Sequence, residues 1–283
     1  MDRGFSSPVV AGGRVFVTDA VLRDPLVRER VYCLEADTGQ LVWTRSWETD
    51  HPDWIFMKGQ ERGPGATPLV RDGKLYVLGM FGELVCLDAA SGDLRWRKNL
   101  RQTYHLKDMP TDPSPLVEED RLIVFVGGSP GAGVIAFNSN SGEEVWRALE
   151  EALTHSSPLA IRAGGRRQLI VWTHEPVSSL DPKSGRTLWS ERMVTSADEA
   201  VATPVFDHDC LLIGGLMLRF EEELPKVIWP QTQTVSRRVL SNTSAARLQG
   251  GHVYSARSSG TLVCPEARTV APAQVRQSVN WSG

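Results

Sequence analysis

The sequence predicts an all-β protein, a β-propeller of four-stranded antiparallel blades, and three observations carry that prediction. An eleven-residue segment is written four times in fixed register: CLEADTGQLVW (Cys33 to Trp43), CLDAASGDLRW (Cys86 to Trp96), AFNSNSGEEVW (Ala136 to Trp146) and SLDPKSGRTLW (Ser179 to Trp189). Each copy holds Asp, Glu or Asn, two variable positions, Ser or Thr, Gly and, after three more residues, Trp. Upstream lies a second recurring pattern, as in ATPLVRDGKLYVLG from Ala66: a short apolar run, a polar turn, then a β-branched and aromatic run. The two patterns return together roughly every 45 residues, the period of a four-stranded blade.

Each element of the repeat has its own reason. The upstream pattern is a hairpin, two strands around a tight Gly-rich or polar turn. The first apolar residues of the eleven form the third strand, and the residues around Trp form the fourth. Between them the Asp, Glu or Asn side chain bonds back to nearby backbone N–H groups, and Gly accepts the positive φ that closes the turn. Five complete blades are expected at about 6–47, 66–100, 113–149, 156–192 and 202–230, with a partial sixth at 242–283. The fifth is degenerate, with Pro225 in place of the turn Gly before Trp229. In the sixth, Cys264 repeats the position of Cys33, but Gln274 stands where Trp is due.

A lone sheet has no second layer to cover a Trp. Stacked blades can bury about 150–250 Å² of each ring, a gross gain of at most about 4–6 kcal/mol. The motif residues Gly39, Trp43, Gly92, Trp96, Gly142, Trp146, Gly185, Trp189 and Trp229 are therefore structural, the tryptophans being wedges between blades.

Bulk properties narrow the function classes. The 283 residues are 41% hydrophobic, enough for a real core, and all of 1–283 is expected to form a single propeller domain. Net charge is -3, and the basic residues after Arg219, Arg237 and Arg238 included, are dispersed over the sequence. Nothing here calls for nucleic acid or an anionic membrane. No apolar run reaches the eighteen or so residues of a membrane helix, so no membrane insertion is expected. Cys33, Cys86 and Cys264 recur at one repeat position, hence on different blades. With Cys210 they are expected to be unpaired core residues.

The motif D-x-x-[ST]-G-x-x-x-W after an aliphatic strand, with [ST]-P-x-x before it, resembles the PQQ-like (pyrroloquinoline quinone repeat) β-propeller family from Phe5 to about Ala267. That family includes quinoprotein alcohol dehydrogenases, the outer-membrane barrel-assembly lipoprotein and many uncharacterised exported proteins. The stretch from Gly214 through SRRVLSNTSAARLQGGHVYSARSSGTLVC is similar to the closing blades of exported members from planctomycete-type bacteria. The resemblance implies a ring of seven or eight blades and an export signal. Against it, this chain shows fewer repeats, and MDRGFSSPVV lacks the basic and apolar parts of a leader. The expectation is a fragment of a longer periplasmic or exported protein. As an open arc it would bare edge strands and self-associate, which light scattering would detect.

The connections divide by length. Turns between strands one and two and between three and four are tight, whereas the long segments 18–30, 46–65, 100–112 and 229–241 fall at the other end of the blades. Functional residues concentrate on such loops. The candidates for a binding face are His51, Asp53, Trp54, Tyr104, His105, Asp108, His155, His174, Arg237 and Arg238. Trp54 and Phe56 also read as anchors for their loop, and His155 as a structural histidine at a strand entry. His51-Pro52-Asp53 and the His105/Asp108 pair have spacings compatible with metal or acid–base chemistry. GGSPGAG (127–133) superficially resembles a phosphate loop but leads into a strand, so it reads as a hairpin.

The repeats thus absorb most notable residues and leave no compact set of acids, bases or ligands. The expected function is a non-catalytic scaffold that presents its long-loop face to a protein or glycan and has no cofactor. The alternative is a PQQ-dependent dehydrogenase using calcium. The family resemblance implies an adjacent Cys–Cys pair and a stacking Trp for that activity, and no Cys-Cys dipeptide is present. A hydrolase would need a nucleophile motif such as GxSxG, also absent.

Overall fold

The computed structural model describes residues 3–152, 154–173, 176–192, 201–229, 245–256, 262–264 and 266–267. They form two compact units, Met1–Leu153 and Thr154–Gly283. The first holds three four-stranded antiparallel sheets. These are β1 (Val9–Ala11) to β4 (Leu41–Glu48) through β2 (Arg14–Arg23) and β3 (Leu26–Glu35); β5 (Leu69–Arg71), β6 (Lys74–Leu78), β7 (Glu83–Asp88) and β8 (Leu94–Asn99); and β9 (Leu116–Glu118), β10 (Arg121–Gly128), β11 (Ala132–Asn138) and β12 (Glu144–Ala148). The second holds β13 (Leu159–Ala163), β14 (Arg166–Trp172), β15 (Pro176–Leu180) and β16 (Thr187–Arg192), then β17 (Val205–Asp207), β18 (Cys210–Ile213), β19 (Leu216–Phe220) and β20 (Pro225–Trp229). A last sheet pairs β21 (Arg247–Gln249), β22 (His252–Ala256) and β23 (Leu262–Val263). Among the described residues every sheet is a meander in sequence order, the blade of a β-propeller, and they include the expected five complete blades and one partial blade.

The period of two along each strand decides which neighbour it packs against. In β6, Leu75 and Val77 join Phe16, Val31, Cys33 and Trp43 of the first blade. The alternate residues Tyr76 and Leu78 join Leu122, Val124, Ile135 and Phe137 of the third. Within the second unit, Leu211 and Ile213 face Ile170 and Trp172, while Leu212 faces Leu248 and Val253. A middle blade is therefore apolar on both faces, and its strands read as continuous hydrophobic runs. Cys33, Cys86 and Cys210 are buried and Cys264 is half-buried, and none of the four is in a disulfide.

The repeated turn performs as its residue types require. Asp88 Oδ1 accepts the Ala90 and Ser91 amides, and Asn138 Oδ1 accepts those of Asn140 and Ser141. Asp181 Oδ1 accepts those of Lys183 and Ser184. Gly39, Gly92, Gly142 and Gly185 all have φ between 70 and 74°. Two of them have a second task. A Cβ on Gly92 would stand 2.7 Å from the Trp43 ring, and one on Gly142 would stand 2.8 Å from the Trp96 ring. Each Trp thus lies on the turn glycine of the next blade and donates its indole N–H there, Trp43 to the Ala89 carbonyl (3.3 Å) and Trp96 to that of Ser139 (3.4 Å). Trp229 likewise donates to the Ala267 carbonyl (3.1 Å).

One recurring feature went unread in the sequence. In all five complete blades the ladder between strands three and four slips by one residue immediately before Trp, at Val42, Arg95, Val145, Leu188 and Ile228. Such a bulge re-aims the residue that follows, here onto the neighbouring turn. It survives in the fifth blade although Pro225 has replaced the turn glycine.

One expectation is corrected. Residues 18–30 are not a loop. β2 and β3 pair without a break from Arg14↔Glu35 to Arg23↔Leu26, so the first blade projects as a long hairpin with Asp24-Pro25 at its tip. The alternation Val27, Glu29, Val31, Cys33 buries one side of β3, which explains why it holds together as strand.

Candidate functional site

Within the first unit the hairpin tip and the two long links meet at one end of the blades. The link from β4 carries a 3-10 turn, Asp53–Phe56, and the link from β8 carries a short helix, α1 (Leu100–Tyr104). The Asn99 side chain caps α1 by accepting the Gln102 amide. Below them lies a small second core of Val27, Ile55, Met80 and Phe81, with Leu22, Trp54 and Phe56 packed on it.

His51 fastens the hairpin to the first link. Its Nε2 donates to the Pro25 carbonyl at 3.0 Å, and its ring stands edge-on to Phe56 with centroids 5.1 Å apart. Asp53 opens the 3-10 turn and is exposed. Trp54 joins the two links, donating its indole N–H to the Asp108 carbonyl (3.3 Å) and standing edge-on to Phe81. Asp50 Oδ2 accepts from the side-chain amides of Asn99 (Nδ2, 2.8 Å) and Gln102 (Nε2, 2.6 Å). Arg62 pairs with Asp112 at 2.7 Å.

The second pair separates in function. His105 takes the left-handed conformation that ends α1, with φ of 49°, and is exposed, while the Asp108 carboxylate pairs with Arg101. Tyr104, expected on the surface, is instead buried in the core between the second and third blades. Its hydroxyl donates to Glu144 at 2.6 Å, and burial together with that carboxylate raises its pKa. In the second unit His155 is half-buried between Thr154, which bonds the Trp172 carbonyl, and Ser156, which bonds that of Ala202. His174, Arg237 and Arg238 lie outside the described residues. Residues 127–133 form the β10–β11 hairpin, Gly128 pairing with Ala132.

A cavity of about 480 Å³ opens among Leu26, Val27, Glu48, Asp50, His51 and Arg101. Its polar walls bond mainly to one another's supports: Glu48 to Arg28, Asp50 to Asn99 and Gln102, Arg101 to Asp108 and His51 to Pro25. Among the described residues no group of three or more His, Cys, Asp or Glu is disposed to hold a metal ion.

Sequence reasoning missed a buried polar cluster beneath this face. Glu29 is 1% exposed; its Oε1 accepts the Met80 amide (2.6 Å) and its Oε2 the Trp47 indole N–H (3.1 Å). Glu83, also buried, pairs with Arg97, whose other nitrogen reaches the Glu48 carbonyl. Asp19 holds Arg30 through two bonds of 2.7 and 2.8 Å. The signal was available: Glu29 and Glu83 occupy the apolar parity of β3 and β7, where a charge must be satisfied from inside. Reading 18–30 as a loop hid the first of them.

The profile of the family described as outer membrane protein assembly factor BamB matches residues 27–278. The chain is 22% identical over 277 residues to the outer membrane protein assembly factor BamB of Burkholderia pseudomallei, covering 82% of this chain and 67% of that protein. It is 25% identical over 158 residues to the quinoprotein alcohol dehydrogenase PedH of Pseudomonas putida, covering 49% of this chain but only 25% of that protein. The crystal structure of BamB from Moraxella catarrhalis superposes with a TM-score of 0.66 at 17% identity, covering 95% of this chain and 74% of that one.

Proposed function

We propose, for a chain that belongs to the PQQ-like repeat family described as outer membrane protein assembly factor BamB, the role of a non-catalytic propeller scaffold in the cell envelope that offers its long-link face to a protein partner. The observation that carries this is the use to which the face puts its polar groups. His51, Asp50, Trp54 and Asp108 hold hairpin and links to each other instead of converging on a reacting atom. A surface braced in this way suits recognition, because little ordering cost remains on binding. At its margin Leu26, Met57 and Met109 are 50%, 60% and 54% exposed.

The match to a quinoprotein dehydrogenase raises the second reading, a quinone cofactor with calcium. When bound, such a cofactor would accept hydride or electrons from an alcohol. The described residues suit it poorly. The blade tryptophans are engaged between blades, 6–8% exposed at positions 43, 146, 189 and 229 and half-buried at 96, and of the buried carboxylates Asp19 and Glu83 are paired with arginines while Glu29 is bonded to the Met80 amide and the Trp47 indole.

The scaffold reading is tested by retention of envelope proteins on the immobilised chain. Met57→Asp with Met109→Asp should abolish retention of the partner, whereas Leu94→Asp, at a residue 60% exposed on the outer strand β8, should leave it intact. Equal retention by the double variant and by Leu94→Asp, or equal loss, would sink the proposal. Glycan-array binding without a retained protein would replace the protein with a sugar.

A further inference from the structure

The internal junctions of the first unit bury the same positions. Leu75, Val77 and Leu87 of the second blade and, in register with them, Leu122, Val124 and Phe137 of the third are at most 2% exposed, packed against the preceding blade. In the first blade these positions are Val15, Val17 and Leu34, which are only half-buried. Val10, paired with Val15, is 67% exposed, whereas its counterparts Val70 and Val117 pack into the inter-blade cores. The turn agrees: a Cβ on Gly39 would meet nothing within 4 Å, where Gly92 and Gly142 each carry the tryptophan of the blade before. The last sheet is exposed on the other side. Its Val253 and Val263 pack with Leu212 and Trp229 of the fifth blade. The alternation of the strands turns Tyr254 and Leu262 the opposite way, where they are 42% and 61% exposed. Their register positions are those of Phe16 and Val31, which in the first blade are buried against the second.

We propose that these faces are the two halves of an interface between copies of this chain: the Tyr254 and Leu262 face of one molecule stacks on the Val10, Val15, Val17 and Leu34 face of a second copy, as one blade stacks on the next. The occupant is a second copy because this chain itself presents both halves. One half has the register of a face that follows a blade, the other that of a face that precedes one, so they match as the first and second blades do. A contact between two different faces is heterologous, and it links copies into chains or rings. By the repeat, Gln274 stands where the sixth blade is due its wedge tryptophan. The intermolecular junction is therefore weaker than those in which a tryptophan lies on Gly92 or Gly142, and assembly follows concentration. The blade faces are separate from the long links offered to a partner protein.

Sedimentation velocity of the whole chain should show the average mass rising with concentration from monomer to larger species, and falling again on dilution. Val10→Asp and Leu262→Asp change side chains that are already exposed, so each should melt as cooperatively as the parent. Each variant alone should stay monomeric. Mixed, they should form a one-to-one dimer and stop there, because each contributes its intact face and blocks growth at the other. Should either fail to fold, Tyr254→Asp replaces Leu262→Asp and Val15→Asp replaces Val10→Asp in the same mixing experiment. Leu94→Asp, on the outer strand β8, should assemble like the parent. A parent that remains monomeric at every concentration, a face variant that still assembles, or a mixture that stays monomeric would each overturn the proposal.

Discussion

Gly92 shows how one residue answers to two blades. Its φ of 74° belongs to its own turn, but the space a side chain would fill belongs to Trp43 of the preceding blade. Gly39 has the same φ requirement and nothing within 4 Å of its absent Cβ. The pair therefore separates conformation from packing. Asn tolerates the left-handed region, so Gly39→Asn should change stability by less than about 0.5 kcal/mol. Gly92→Asn should cost about 2 kcal/mol through displacement of the Trp43 ring. Equal losses in denaturant melts would show that the turn alone demands glycine. The turn chemistry was legible in the sequence from Asp88, Ser91 and Gly92. The second demand on Gly92 was not, since its source lies 49 positions earlier at Trp43.

Elements carry the functional face, and here the long hairpin matters most. β2 and β3 project beyond β1, held along the ladder and, at the tip, by the bond from His51 to the Pro25 carbonyl. Elements with few anchoring contacts open below the global stability. His51→Phe keeps a ring against Phe56 and removes that bond, so it should destabilise the whole by about 1 kcal/mol or less. Amide exchange should rise across 22–28 while β10 and β11 stay protected. Unchanged exchange at the tip would mean that ladder pairing alone holds it. Composition misled the reading of this segment: Asp24-Pro25 and the charges of Arg23, Arg28, Glu29 and Arg30 look like loop chemistry. The ladder and the pairing of half-buried Arg30 with buried Asp19 show where those charges go.

At the scale of the whole molecule, the family match over residues 27–278 and the six meandering sheets describe a propeller scaffold. A thermal melt with PQQ and calcium should leave the midpoint in place. A ligand at a hundred times its dissociation constant would add about 2.7 kcal/mol, so a rise of several degrees would restore the dehydrogenase reading. By itself the sequence determined the four-stranded blades of the described residues, the turns and the tryptophan positions beside them, because each depends on local backbone preference repeated in register. Only the tertiary structure decided that 18–30 is strand, that Tyr104 is core and that Glu29 and Glu83 share a buried junction. Those outcomes depend on what a neighbouring blade places opposite a side chain, and residues some fifty positions apart in sequence meet only once the sheets have stacked.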